Sequence, residues 1–136
     1  MILLDSGPLV AAFRRSERHH QSCRQKLKSL AGPIATTLPV LTEAFYLLSP
    51  ESAHADRVRT FIRRGGAAVI DMDAPQIDRA FDLMEEYRDL PMDFADASLI
   101  AAAESLKTVK IFTLDARDFA VYRIRRGHRR YAVDIV

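Results

Sequence analysis

Ile2-Leu3-Leu4-Asp5-Ser6-Gly7-Pro8 opens the chain with three apolar residues, an acid and a turn. The run from Val109 to Leu114, closed by Asp115, repeats that arrangement near the other end. Each run has the look of a short buried strand with its carboxylate at the carboxyl end. In open α/β sheets ligands bind outside the carboxyl ends of the strands, where strand order reverses. Two acids at such ends therefore point to a site as well as to a fold.

Working outward, Gly7-Pro8 predicts a short helix over Leu9 to Phe13, with proline suited to a first turn. A second helix is expected from His19 to Leu30, where Cys23, Leu27 and Leu30 keep helical spacing and Gly32-Pro33 stops it. Ile34 to Thr37 is the second strand, and Thr37 caps a helix that runs through Leu48. Ala53 to Arg64 follows as a helix with Val58, Phe61 and Ile62 inward, then Ala67 to Ile70 as the third strand. Asp73 and Gln76 form a capping box for a helix through Tyr87, with Ile77, Ala80, Phe81 and Met84 as its core face. After the break at Pro91, a helix covers Phe94 to Leu106, packing Ala95, Leu99, Ala102 and Leu106. The fourth strand ends at Leu114, and an arginine-rich bend leads to a fifth strand over Tyr131 to Val136. Strands alternating with helices imply parallel pairing and right-handed crossovers. The expectation is one domain over residues 1–136, a three-layer α/β/α sandwich.

With 136 residues and 49% hydrophobic content, the chain can bury a real core. No apolar stretch approaches the roughly 20 residues needed to cross a bilayer. Neither a signal-peptide pattern nor a second cysteine beside Cys23 is present, so a cytoplasmic protein without disulfides is expected. Net charge is only +2, which announces no polyanion partner. Its distribution says more. Arg123, Arg125, Arg126, Arg129 and Arg130 crowd one segment around His128, and Arg14, Arg15 and Arg18 precede His19 and His20. Arginines on the rim of an acidic pit would suit a phosphodiester, whereas arginine runs taken alone fit a solvated basic surface somewhat better.

Three further acids join Asp5 and Asp115. Asp93 and Asp96 open a helix at i and i+3, so both carboxylates can address one cation, though Asp93 is also a natural N-cap. Glu43 is the only charge between Leu38 and Leu48. Its spacing leaves open whether it faces the site or water. Asp5 has a structural alternative too, as a cap for the helix at Pro8, and Asp118 could cap the turn at Phe119. Carboxylates crowded together repel unless a cation offsets them, and an all-oxygen donor set suits Mg²⁺ or Mn²⁺.

At these residues the chain resembles PIN-domain ribonucleases, specifically the VapC-type toxins of toxin–antitoxin pairs. The matching pieces are Leu3 to Pro8, Leu41-Thr42-Glu43-Ala44, Asp93 to Ala102 and Phe112 to Phe119, in the family's order and at its separations. The resemblance implies a parallel sheet in the order 3-2-1-4-5. It implies Mg²⁺- or Mn²⁺-dependent cleavage of RNA, including tRNA or other structured RNA, by a homodimer held in check by a small antitoxin. The family's catalytic acids fall on Asp5, Glu43, Asp96 and Asp115; metal ligation falls on Asp5, Asp96, Asp115 and Asp93, with Thr113 as the small polar residue beside them. Hydroxide from a metal-bound water would attack in line, leaving 5′-phosphate and 3′-hydroxyl ends. Two other readings compete: a non-catalytic RNA- or partner-binding module of the same fold, and a receiver-like phosphoacceptor domain. The second lacks paired acids at the first strand and a lysine after the fifth. Apolar residues among Val40, Phe45, Leu47 and Leu48 are the expected dimer surface.

Overall fold

Side chains alternate along a strand, so a strand buried on both faces must supply two cores. In the first strand, β1 (Ile2–Leu4), Leu3 enters one core while Ile2 and Leu4 enter the other. The computed structural model describes all 136 residues. After β1 come α1 (Ser6–Phe13), α2 (His20–Ser29), β2 (Ile34–Thr37), α3 (Leu38–Leu48) and α4 (Ala53–Arg63). The chain continues through β3 (Ala68–Ile70), α5 (Ala74–Glu86), α6 (Phe94–Leu106), β4 (Lys110–Phe112) and α7 (Ala116–Phe119). It closes with β5 (Arg123–Arg126), β6 (Arg129–Ala132) and β7 (Asp134–Ile135).

The main sheet has five strands in the order β3-β2-β1-β4-β7, every pair parallel. On one face, Leu3, Ala35 and Ile111 pack with Ala80 and Leu83 of α5 and with most of α6. On the other, Ile2, Leu4 and Phe112 pack with Leu9 to Ala12 of α1, Cys23 of α2, Ala44 and Leu48 of α3, and Val58 of α4. This is the expected three-layer sandwich. Helix α6 is buried nearly all round, from Ala95 through Ala103 apart from Asp96, because α5, α3 and β5 flank it. Its small alanines let those elements approach closely.

Several expectations are corrected. Helix α1 begins at Ser6 and not at Leu9, because the Asp5 side chain accepts the Ser6 N–H at 2.7 Å and caps it there. Phe81, assigned to the core face of α5, is 55% exposed, and Leu83 takes the buried place. Tyr131 to Val136 is not one strand. Tyr131 and Ala132 belong to β6, which forms an antiparallel hairpin with β5, and only Asp134–Ile135 joins the main sheet beside β4. The arginine-rich bend is therefore that hairpin. Val40 and Leu48 are fully buried in the cores, which removes them from any dimer surface.

Candidate active site

Strand order reverses between β1 and β4, and the acids meet there. Asp5 leaves β1 with its N–H donating to the Phe112 carbonyl of β4 at 3.0 Å, so the two strand ends are locked together. Asp5 is 6% exposed. Its Oδ1 accepts from Ser6 N–H, and its Oδ2 accepts from the Thr113 hydroxyl at 2.7 Å. Thr113 Oγ1 in turn accepts the Asp115 N–H at 3.0 Å. One threonine thus fixes the acids of both strands. The resemblance implies Thr113 only as a small polar residue beside the acids; the structure shows it holding Asp5.

The other acids arrive on helices. Asp93 caps α6 by accepting the Asp96 N–H at 2.8 Å, which leaves Asp96 one turn inside. Asp96 Oδ2 accepts the Tyr122 hydroxyl at 3.1 Å. Glu43, half-buried on α3, accepts the Ser6 hydroxyl through Oε1. Asp115 caps α7 by accepting the Asp118 N–H at 3.1 Å, so the capping task considered for Asp118 belongs to Asp115. Asp5, Asp93 and Asp115 are all helix caps, and capping occupies only part of each carboxylate. Asp93, Asp96, Asp115 and Glu43 each keep one oxygen free of protein hydrogen bonds.

Burial first, and charge crowding second, favour the protonated forms of the acids at this mouth. Burial pushes the Asp5 carboxyl up to about 6, and the charges of Glu43 and Asp93 add to it, against the hydrogen bonds from Thr113 and Ser6. Asp96 rises further, to about 8, first through burial and then through Asp93, Asp5 and Asp115. Burial and the neighbouring Asp96 also raise the Tyr122 phenol, which keeps it protonated as a donor. No arginine, lysine or histidine pairs with any of the five acids; the ion pairs of the chain engage Glu17, Asp56, Glu104, Glu85 and Glu86.

All the sequence-predicted residues lie at one end of the sheet, yet no three acidic, histidine or cysteine side chains close to ligating distance of a common point. Capping bonds tie Asp5, Asp93 and Asp115 to the starts of three different helices. The donor set nonetheless fits a hard divalent cation: oxygens only, unneutralised, with one free oxygen on most members. Two site residues escaped sequence reasoning. Ser6 was seen as part of a turn, and Tyr122 carried no motif. Its signal was available in principle, since a fully buried tyrosine needs a partner for its hydroxyl. His20 and His54 place Nδ1 against the carbonyls of Ala11 and Phe13, outside the site. A concavity of about 860 Å³ beside Ala12, His20 and Phe61 is lined by none of the five acids. A shallower one of about 570 Å³ has Glu43 and Asp93 on its wall.

The PIN domain family model matches residues 2–125. The chain belongs to the PIN-domain family. Ribonuclease VapC26 of Mycobacterium tuberculosis is 25% identical over 130 residues, covering 94% of this chain and 96% of that protein. The crystal structure of M. tuberculosis VapC20, described as a sarcin–ricin loop cleaving toxin, superposes with a TM-score of 0.76 at 18% identity, covering 87% of this chain and 92% of that one. A toxin–antitoxin complex from Klebsiella pneumoniae gives 0.67 at 22% identity, covering 89% and 92%. VapBC2 from Rickettsia felis, bound to a promoter DNA fragment, gives 0.61 at 19% identity, covering 88% and 91%. The PIN fold and its strand order are those expected from the sequence, with β7 in the fifth place. Membership also displaces the receiver-like reading.

Proposed function

We propose that this PIN-domain protein is a metal-dependent endoribonuclease and the toxin of a toxin–antitoxin pair. One observation carries the reading: Asp5, Glu43, Asp93, Asp96 and Asp115 gather at the switch point of the sheet without a single protein cation among them. The similarity to Ribonuclease VapC26, and the fold shared with toxins of toxin–antitoxin assemblies, supports both the reaction and the biological role.

In this reading Asp5, Asp96 and Asp115 hold Mg²⁺ or Mn²⁺, with Asp93 as an additional ligand and Glu43 closing one side. Bound there, the ion supplies an acidified water and neutralises charge at the scissile phosphate. Thr113 and the Ser6 N–H orient Asp5, Tyr122 orients Asp96, and the Ser6 hydroxyl orients Glu43. Raised carboxyl pKa values are what a cation-free site of this kind should show, and cation binding lowers them. Histidine acid–base catalysis has no place in it, since none of His19, His20, His54 and His128 hydrogen-bonds to any of the five acids.

The substrate is RNA, with tRNA or another structured RNA as the expected class, and the site of action is the cytoplasm. A small antitoxin covers the mouth. A homodimer is part of the proposal, with exposed Leu38, Tyr46 and Leu47 as its apolar surface. Sedimentation as a monomer at every concentration would remove that part. The deciding assay is labelled RNA with wild type and Asp5→Asn, each with and without EDTA. Cleavage lost in EDTA and in Asp5→Asn supports the proposal; cleavage that survives both refutes it.

A further inference from the structure

Two pairs of arginines face each other across the β5–β6 hairpin, at a cost to the fold. The register sets Arg125 opposite Arg130 and Arg126 opposite Arg129. Like charges directly across an antiparallel pair are destabilising. Arg130 has a partner in Glu86, but Arg125, Arg126 and Arg129 are exposed and make no ion pair. Gly127, at φ 62°, allows the tight turn with His128 that keeps both strands paired to the tip. The Arg126 guanidinium lies 5.8 Å from the Tyr131 ring centroid, and that ring is 37% exposed.

This ribbon is nevertheless firmly seated. Ile124 is fully buried, and the Arg123 N–H donates to the Tyr87 hydroxyl at 3.0 Å. The Arg125 N–H donates to Glu104 at 2.8 Å, and Arg79 holds the same carboxylate with two bonds of 2.8 and 3.0 Å. A largely buried ion pair thus anchors the base of a ribbon whose outer part repels itself. The family match ends at residue 125, so the turn and the return strand lie beyond it.

Exposed guanidinium groups without counter-charges, carried on an anchored backbone with an aromatic ring among them, suit one class of partner. Phosphate oxygens accept bidentate arginine bonds, and an unpaired base stacks on tyrosine or arginine. We propose that the hairpin from Arg125 to Tyr131 is a second RNA-binding surface, gripping the substrate away from the scissile bond. The choice of RNA over other polyanions rests on the ribonuclease reading. The anchoring Glu104 lies about two turns along α6 from Asp96, roughly 12 Å. Engaging both places therefore requires an RNA several nucleotides long. The acids act on one phosphate while the hairpin selects which RNA stays bound.

The test measures binding without turnover. The full chain carrying Asp5→Asn is compared with the same chain carrying Arg125→Gln, Arg126→Gln and Arg129→Gln as well. Probes are a labelled RNA stem–loop, a DNA duplex of equal charge and polyglutamate, each over a salt titration. The arginine substitutions should weaken stem–loop binding on the order of 10- to 100-fold near 0.1 M salt and flatten its log–log salt dependence by about two. Melting temperature should hold or rise, because like-charge repulsion is removed. Unchanged affinity and slope for the stem–loop would overturn the proposal. So would tighter arginine-dependent binding of the duplex, or of polyglutamate, than of the stem–loop. If wild type cleaves no RNA, the ribonuclease reading fails while this binding measurement still decides the hairpin.

Discussion

Replacing Asp5 by asparagine should strengthen the fold of the metal-free protein, although Asp5 caps a helix and accepts two hydrogen bonds. Its carboxyl is raised from 3.8 to about 6, and burial is the main cause. A shift of that size makes ionised Asp5 cost about 3 kcal/mol at pH 8. Because the side chain is only 6% exposed, solvent screening removes little of this. Asparagine keeps an oxygen for the Ser6 N–H but replaces the charge-assisted bond from Thr113 with a weaker contact, a loss of about 1–2 kcal/mol. The net gain at pH 8 is about 1–2 kcal/mol, or about 3–6 °C in melting temperature. Since the folded-state pKa stands above the unfolded one, the Asp5 contribution favours the fold fully below about pH 4 and is lost as pH rises through about 6. The advantage of Asp5→Asn should therefore shrink towards zero between pH 8 and pH 5. Thermal denaturation in EDTA across that range is the assay. A variant that melts below wild type at pH 8, or a difference that ignores pH, would refute the reasoning and make Asp5 a structural cap only.

Three other perturbations follow from particular contacts. Thr113→Val removes the donor to Asp5 and the acceptor for the Asp115 N–H, so RNA cleavage should fall at least tenfold while the fold loses about 1–2 kcal/mol by urea denaturation. Tyr122→Phe deletes a bond that lowers the Asp96 pKa, so the alkaline shift of Asp96 should grow, visible by carboxyl NMR in EDTA. Glu104→Ala leaves Arg79 and the Arg125 N–H without their acceptor and should destabilise the protein by about 3 kcal/mol in urea, with the hairpin amides losing hydrogen-exchange protection first.

Much of the architecture was legible because its signals are local. Ile2 to Leu4 before Asp5, and the apolar run before Asp115, declare strands whose ends must carry acids. Asp73 with Gln76 forms the capping box that its spacing announces. The hairpin was illegible because five arginines mask any alternation, and its one cue, Gly127-His128 between two runs, is weak beside them. Phe81 misled because helical spacing places it on the same stripe as Ala80 and Met84, while the phenyl packs outward against Phe94 at 5.8 Å. Within the site, sequence located all five acids but not what orients them. Ser6 and Tyr122 act through hydrogen bonds between elements distant in sequence, 37 and 26 residues apart. No local pattern encodes such pairs.

A crystal soaked in Mn²⁺ and measured for anomalous scattering tests the central claim most directly. The account predicts a peak bounded by Asp5, Asp96 and Asp115, with those carboxylates drawn closer than in the metal-free state. An empty acidic mouth at saturating Mn²⁺, or a peak only elsewhere on the molecule, would contradict it.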